Sequence, residues 1–378
     1  MKIRDAMDRR IQFWKRQLPD QILATFGVKH RKSGPSRWEE YVQAQGLKTD
    51  CTYDRPPVFE DLDALFEQYS VRMGDGFDPD REKPVHDDAC SYPIACPTVH
   101  FGEGIIGAFF GGTPIFASTD IKTESVCEDA ITDWSQLDGL AFDESNPWVV
   151  RVLDCLRYFA EHTDARFVLQ PYCTLDALNF VVGLRGSTQA FLDVLTNEAE
   201  VRQLMEIGFD TTVRYWNLQR EIVEANNVAT LGHDEFAAMC PGHGGVGLSV
   251  DAYSLCHPSV YDNMGFEFTQ RLIDAFGGGH LHIHSLGAHL APAVSQLKGL
   301  TELDIQDDPG CERYFPKVRE IRQHSPDLPL RVRCTLDEFL EGLHAHTLPT
   351  GVVYTVQGAL DSVDEANRLA EQVRAYRG

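Results

Sequence analysis

The chain has 378 residues, 43% of them hydrophobic, and a formal net charge of −23. That charge excludes partners that demand a basic surface, namely nucleic acid and anionic membranes. No apolar run approaches the roughly 18–20 residues that span a bilayer, and the start Met1-Lys2-Ile3-Arg4-Asp5 lacks the apolar stretch of a secretory signal, so a cytoplasmic location is expected.

Ile3, Met7, Ile11 and Trp14 follow helical spacing amid basic residues. Residues 1–50 are therefore expected to be a helical extension, broken near Lys32-Ser33-Gly34-Pro35 and carrying a second short helix from Trp38 to Gln45. Residues 55 to 150 are rich in Pro and Gly, which predicts loops and short strands. From there the pattern becomes regular. A helix from Trp148 to His162 leads to a strand from Arg166 to Pro171, and a long helix from Glu198 to Asn226 to a strand from Ala229 to His233. A helix from Ser259 to Phe276 precedes Gly279-His280-Leu281-His282-Ile283-His284. Strands follow at Thr301–Gln306, Leu328–Cys334 and Val352–Gln357, and the last helix opens on the capping pair Ser362 and Glu365.

Strands alternating with helices imply parallel pairing through right-handed crossovers. The number of units predicts an α/β fold, a closed eight-stranded (β/α)8 barrel spanning residues 51–378, with the helical extension before it. Gly242-His243-Gly244-Gly245-Val246-Gly247 is glycine-rich but lacks the strand–loop–helix context of a dinucleotide site.

In such a barrel the chemistry sits at the C-terminal ends of the strands. Those ends carry Gln170 and Tyr172; His233, Asp234 and Glu235; His282 and His284; Gln306, Asp307 and Asp308; Arg333 and Cys334; and Thr355 and Gln357. Asp251 lies in the loop after His233. Histidines 280, 282 and 284 alternate with aliphatics, so on a strand the imidazoles share one face. Two imidazoles with a thiolate or carboxylate and an open position would form a catalytic zinc site. Cys334 is the thiolate candidate and Asp251 the carboxylate. The plainer alternative is a histidine-rich strand whose rings hydrogen-bond to their neighbours. Ten cysteines occur, none in a Cys-x-x-Cys pair, and most are expected to be buried and reduced.

The order of these pieces resembles the uroporphyrinogen decarboxylase superfamily, which includes porphyrinogen decarboxylases and zinc-dependent methyltransferases that move methyl groups from corrinoid proteins to thiols. The resemblance lies in Gln170-Pro-Tyr-Cys-Thr-Leu-Asp-Ala-Leu, the turn Gly183-Leu-Arg-Gly186, Asp251 followed by His257-Pro-Ser-Val-Tyr261, and Phe276-Gly-Gly before His282-Ile-His-Ser285. The family strand usually reads His-x-Cys-Gly. Here His284 stands at the cysteine position and Gln357 near a second cysteine, with Cys334 as the expected replacement. Val71-Arg-Met-Gly-Asp75 does not match the arginine-rich signature that holds porphyrinogen carboxylates.

The resemblance thus implies metal-assisted methyl transfer, with zinc on His282, His284 and Cys334. Asp251 and His233 are the catalytic candidates, and Gln170, Tyr172, Arg333 and Gln357 contact a small-molecule substrate. It implies a corrinoid protein as partner and methyl donor, and a homodimer. Two alternatives stand beside it. One is a metal-free lyase acting on a smaller carboxylic acid, with Asp251 stabilising a cationic intermediate and Arg333 anchoring the carboxylate. The other is a non-catalytic corrinoid- or porphyrin-binding protein.

Overall fold

The computed structural model describes residues 3–28, 37–47, 61–73, 101–118, 123–127, 130–171, 176–231 and 246–378. They belong to two compact units, one of Met1–Arg31, Asp78–Pro93 and Ala237–Gly378, the other of Lys32–Phe77 and Ile94–Phe236. Among the described residues the strands in chain order are β1 (Ile22–Val28), β2 (Pro114–Ser118), β3 (Thr123–Cys127), β4 (Val246–Ser249), β5 (Gly279–His284), β6 (Leu300–Gln306), β7 (Leu330–Thr335) and β8 (Val352–Leu360).

The first unit is built on one parallel sheet ordered β1-β8-β7-β6-β5-β4. Consecutive strands from β4 to β8 are neighbours and the last lies beside the first, which is the winding order of a (β/α)8 barrel. The described sheet has six strands. Its period-2 pattern separates two faces: Leu281, Ile283, Leu303, Ile305, Val332, Cys334, Tyr354 and Val356 are buried on one side. The ladder aligns His280, His282 and His284 with Glu302, Asp304, Gln306, Arg331, Arg333, Thr355 and Gln357 on the other.

Helices return the chain to each next strand and cover the apolar face. Leu336–His344 packs on β7 and β8, and its Phe339 ring lies 5.5 Å from Phe26 of β1 and 5.6 Å from Tyr354 of β8. This helix begins with a reciprocal capping box between Thr335 and Glu338, where β7 ends. The amphipathic helix Phe266–Phe276 buries Phe268, Leu272, Ile273 and Phe276 and stops at Gly277. Gly277 has φ +67°, a left-handed cap that glycine adopts without steric cost.

The segment expected to be purely helical does more. Ile3–Trp14 is a helix, but the chain then enters β1, an edge strand of the sheet. From that helix Arg10 reaches Glu302 on β6 at 2.6 Å, and Trp14 donates to the same oxygen at 3.1 Å. Arg331 on β7 binds the other Glu302 oxygen at 2.8 Å. All three charged side chains are buried, so one carboxylate ties the helix to two strands.

The second unit holds the antiparallel hairpin β2–β3 and the helices Arg37–Gln45, Leu62–Met73, Pro147–His162, Ala177–Arg185, Ser187–Thr196 and Glu198–Leu231. Two sequence expectations change here. The strand expected at 229–233 is helical through Leu231, the last described residue there, because the long helix continues past Asn226. The segment expected as a strand at 166–171 carries no ladder. Its backbone is paired instead by asparagines of the long helix. Asn227 accepts from Leu169 N at 2.7 Å and donates to Leu169 O at 2.8 Å, while Asn226 donates to Phe167 O at 2.9 Å. A side-chain amide offers both an acceptor and a donor, and so substitutes for a neighbouring strand. No helix among the described residues is long and apolar enough to cross a membrane.

Candidate metal centre

Strand β5 brings His282 and His284 to the C-terminal end of the sheet. Leu281 and Ile283 are 0% and 1% exposed, and their burial fixes which face the imidazoles take. His280 is the deepest of the three. A Cβ on Gly247, its partner on β4, would come within 3.0 Å of the His280 Nε2, so glycine there makes room for the ring. Burial holds the His280 pKa below the ordinary imidazole value, and the ring stays apart from the cluster formed by the other two.

His282 and His284 converge on Asp251. Ser249 ends β4 opposite His282, and two residues later Asp251 opens a short turn of 3-10 helix, Asp251–Leu255. Asp251 Oδ2 lies 3.3 Å from His282 Nε2 and 3.7 Å from His284 Nε2. One ligand atom from each residue falls within 4.8 Å of the others. The side chains are 41%, 30% and 32% exposed, so the group is open on one side. The second carboxylate oxygen, Asp251 Oδ1, is buried with no hydrogen-bond partner among the described residues.

The charges favour an ion pair when no cation is present. Burial opposes ionisation of Asp251, but the hydrogen bond and charge of His282, with Ser249 and His284, hold its pKa below the ordinary carboxylate range. Burial likewise lowers the His282 pKa, and the Asp251 hydrogen bond and charge more than restore it, leaving it above the ordinary imidazole value. His284 is fixed from behind by Asp308, just beyond the end of β6. Its Nδ1–H donates to Asp308 Oδ1 at 2.8 Å, while Leu286 N donates to Asp308 Oδ2 at 3.1 Å. Asp308 N in turn donates to Ser285 Oγ at 2.7 Å. The Leu286 backbone hydrogen bond and the His284 contact keep the Asp308 pKa low against the effect of burial.

Two imidazoles and one carboxylate around a common point, with one side open, make a donor set suited to a divalent ion such as zinc. The uncompensated Asp251 Oδ1 and the anchored back of His284 both fit that reading.

The expected residues divide clearly. His282, His284 and Asp251 come together. Cys334 does not join them, because it alternates with Arg333 on β7 and is 0% exposed on the apolar face. Burial pushes its thiol pKa up to about 12, which removes the thiolate that a metal would need. Arg333 shares the histidine face but is committed to Asp304, at 2.9 Å, and to the Ile305 carbonyl at 3.0 Å. Gln357 is exposed on the same face, paired with Thr335 in the ladder. Gln170 is half-buried in the second unit. Tyr172 and His233 lie outside the described residues. The Leu-Arg-Gly turn has a structural role. Arg185 is buried, bonds Asp193 at 2.6 Å and the Ile131 carbonyl at 3.0 Å, and lies over the Trp134 ring.

Asp308 is the site residue that sequence reasoning did not single out. In the sequence it is one of several acids after a strand end, and its role depends on the pairing of β5 with β6, in which His284 stands opposite Gln306.

No family model matches the chain, and no curated protein matches it in sequence. Twenty chains of known structure match it. One is a methyltransferase from Methanosarcina mazei, 10% identical, aligned over 98% of each chain at a TM-score of 0.56. At that identity the likeness is one of fold, and it supports the α/β architecture along the whole chain.

Proposed function

We propose that the chain is a metal-dependent enzyme in which Asp251, His282 and His284 hold a divalent ion, zinc by the superfamily resemblance, and that it catalyses methyl transfer from a methylated corrinoid to a small acceptor. The observation that carries this reading is the convergence of three ligand atoms within 4.8 Å at the strand ends. The shared fold with a methyltransferase points the same way.

Zinc, when bound, would supply a Lewis acid that keeps the acceptor deprotonated at neutral pH. Without a thiolate ligand the donor set is harder than a cysteine-rich one and suits an oxygen-based acceptor. The protein's own groups do the rest. His282 releases to solvent the proton that its pair with Asp251 retains, His284 is held in one orientation by Asp308, and Gln357 faces the mouth for substrate. Once the acceptor proton has left, the acceptor heteroatom's lone pair would form the new bond to the methyl group as the cobalt–carbon bond of the methylated corrinoid substrate breaks, with both electrons of that bond leaving on the demethylated corrinoid.

The metal-free lyase is the weaker reading on one specific ground. It needs Arg333 for a substrate carboxylate, and that guanidinium is already neutralised by Asp304. The test is to mix methylated corrinoid with alcohol and thiol acceptors and follow its absorption spectrum. Demethylation by the protein, lost in a His282→Ala/His284→Ala variant, is expected. An unchanged spectrum at every acceptor concentration would overturn methyl transfer, and tight corrinoid binding without turnover would make the chain a binding protein.

A further inference from the structure

We infer that Asp308, pinned by Ser285, is the positioning residue of this centre: it fixes His284 as the Nδ1–H tautomer and so aims the Nε2 lone pair at the ligand point. Free histidine prefers the opposite tautomer, with the proton on Nε2, and a ring in that form would present a hydrogen rather than a lone pair to a cation.

The geometry carries the assignment in three steps. A carboxylate only accepts, so the 2.8 Å contact from His284 Nδ1 to Asp308 Oδ1 places the proton on Nδ1. The second Asp308 oxygen takes the Leu286 N–H at 3.1 Å, so the carboxylate is held at both oxygens and cannot rotate away. The Asp308 backbone is held too, since its N–H donates to Ser285 Oγ at 2.7 Å and that hydroxyl donates to the Gln306 carbonyl at 3.3 Å. The ends of β5 and β6 thus form a clip around one imidazole. His282 has no such clip among these contacts; its Nε2 faces Asp251 directly. The two ligands therefore differ: His284 is set before any ion arrives, whereas His282 reorganises its proton on binding.

The inference rests on the proposed metal centre for its affinity arm but not for its tautomer arm. The experiment uses the full chain labelled with 15N-histidine. Two-bond 15N–1H correlation spectra at about pH 8, where imidazoles are neutral, are recorded without metal, with cobalt(II) titrations beside them. The wild type should show His284 protonated at Nδ1 and unprotonated at Nε2. Asp308→Ala should move His284 to the Nε2–H form and weaken cobalt binding by about 10- to 100-fold. Ser285→Ala, which frees the clip but keeps the carboxylate, should show a smaller loss in the same direction. A wild-type spectrum with His284 protonated at Nε2 would overturn the inference. So would unchanged cobalt affinity in a folded Asp308→Ala protein. Should Asp308→Ala fail to fold, the wild-type spectrum and Ser285→Ala decide. A wild type with the expected tautomer that binds no cobalt would sink the metal reading alone.

Discussion

Among single residues, the proton that His282 holds against Asp251 governs the behaviour of the centre. A cation and a proton compete for the same nitrogen, so metal affinity should fall as pH drops through the raised His282 pKa, beginning above the ordinary imidazole value of about 6.5. Calorimetric zinc titrations between pH 6 and 8.5 should show that decline, with the protons released per ion increasing as the pH falls; a flat profile would contradict it. The metal-free protein has the opposite trend. A histidine with a raised pKa adds stability fully below about 6.5 and loses it as pH rises through the folded value, while the depressed Asp251 adds stability above about 3.9 and loses it as pH falls. The side chains are 30% and 41% exposed, which limits the pair to less than about 1 kcal/mol. The alternation of histidine with leucine and isoleucine made the imidazole face legible from sequence. The expectation that Cys334 would be a ligand fails on that same alternation, since adjacent Arg333 and Cys334 cannot share a face. Asp308 was legible only as one of several acids at a strand end; its contact with His284 was not, because that meeting depends on the alignment of two separate strands.

Elements are held by a few buried polar junctions. Glu302 joins the first helix to β6 and β7 through Arg10 and Arg331. Burial alone would raise its pKa, but the two guanidiniums bring it down to about 2. Its contribution is therefore present above about 4.3 and is lost as pH falls toward 2. Glu302→Gln removes the buried charge that both guanidiniums bind and should cost about 3–5 kcal/mol in denaturant unfolding; a loss under about 1 kcal/mol would show that the junction is not formed. In the second unit, Asn227→Ala removes both hydrogen bonds to Leu169 and should cost about 1–3 kcal/mol. Amide exchange at Leu169 should rise in that variant and stay unchanged if the helix does not pair this segment. Helix and strand identities from β5 onward followed from periodicity and capping residues. The segment 166–171 misled because an extended, apolar stretch reads alike whether a strand or an asparagine-bearing helix completes its hydrogen bonds. β1 was missed because its short apolar run, Ile22-Leu-Ala-Thr-Phe-Gly-Val28, has no alternation to mark it.

For the whole molecule, alternating strands and helices made the parallel α/β plan legible, and the pairing of β8 with β1 is the element of winding that sequence order alone could not show. The charge of −23 set aside basic binding surfaces but said nothing of the local cation site. An ion that binds only the folded chain should stabilise it by about 2.7 kcal/mol at a hundred times its dissociation constant. Thermal unfolding should shift upward with zinc in the wild type and not in His282→Ala/His284→Ala. The most direct measurement is the metal content of the purified full chain beside that double variant, after both are loaded with zinc and dialysed. Close to one zinc per wild-type chain and none in the variant is the expected result. Equal zinc in both, or none in either, would contradict a metal centre on Asp251, His282 and His284.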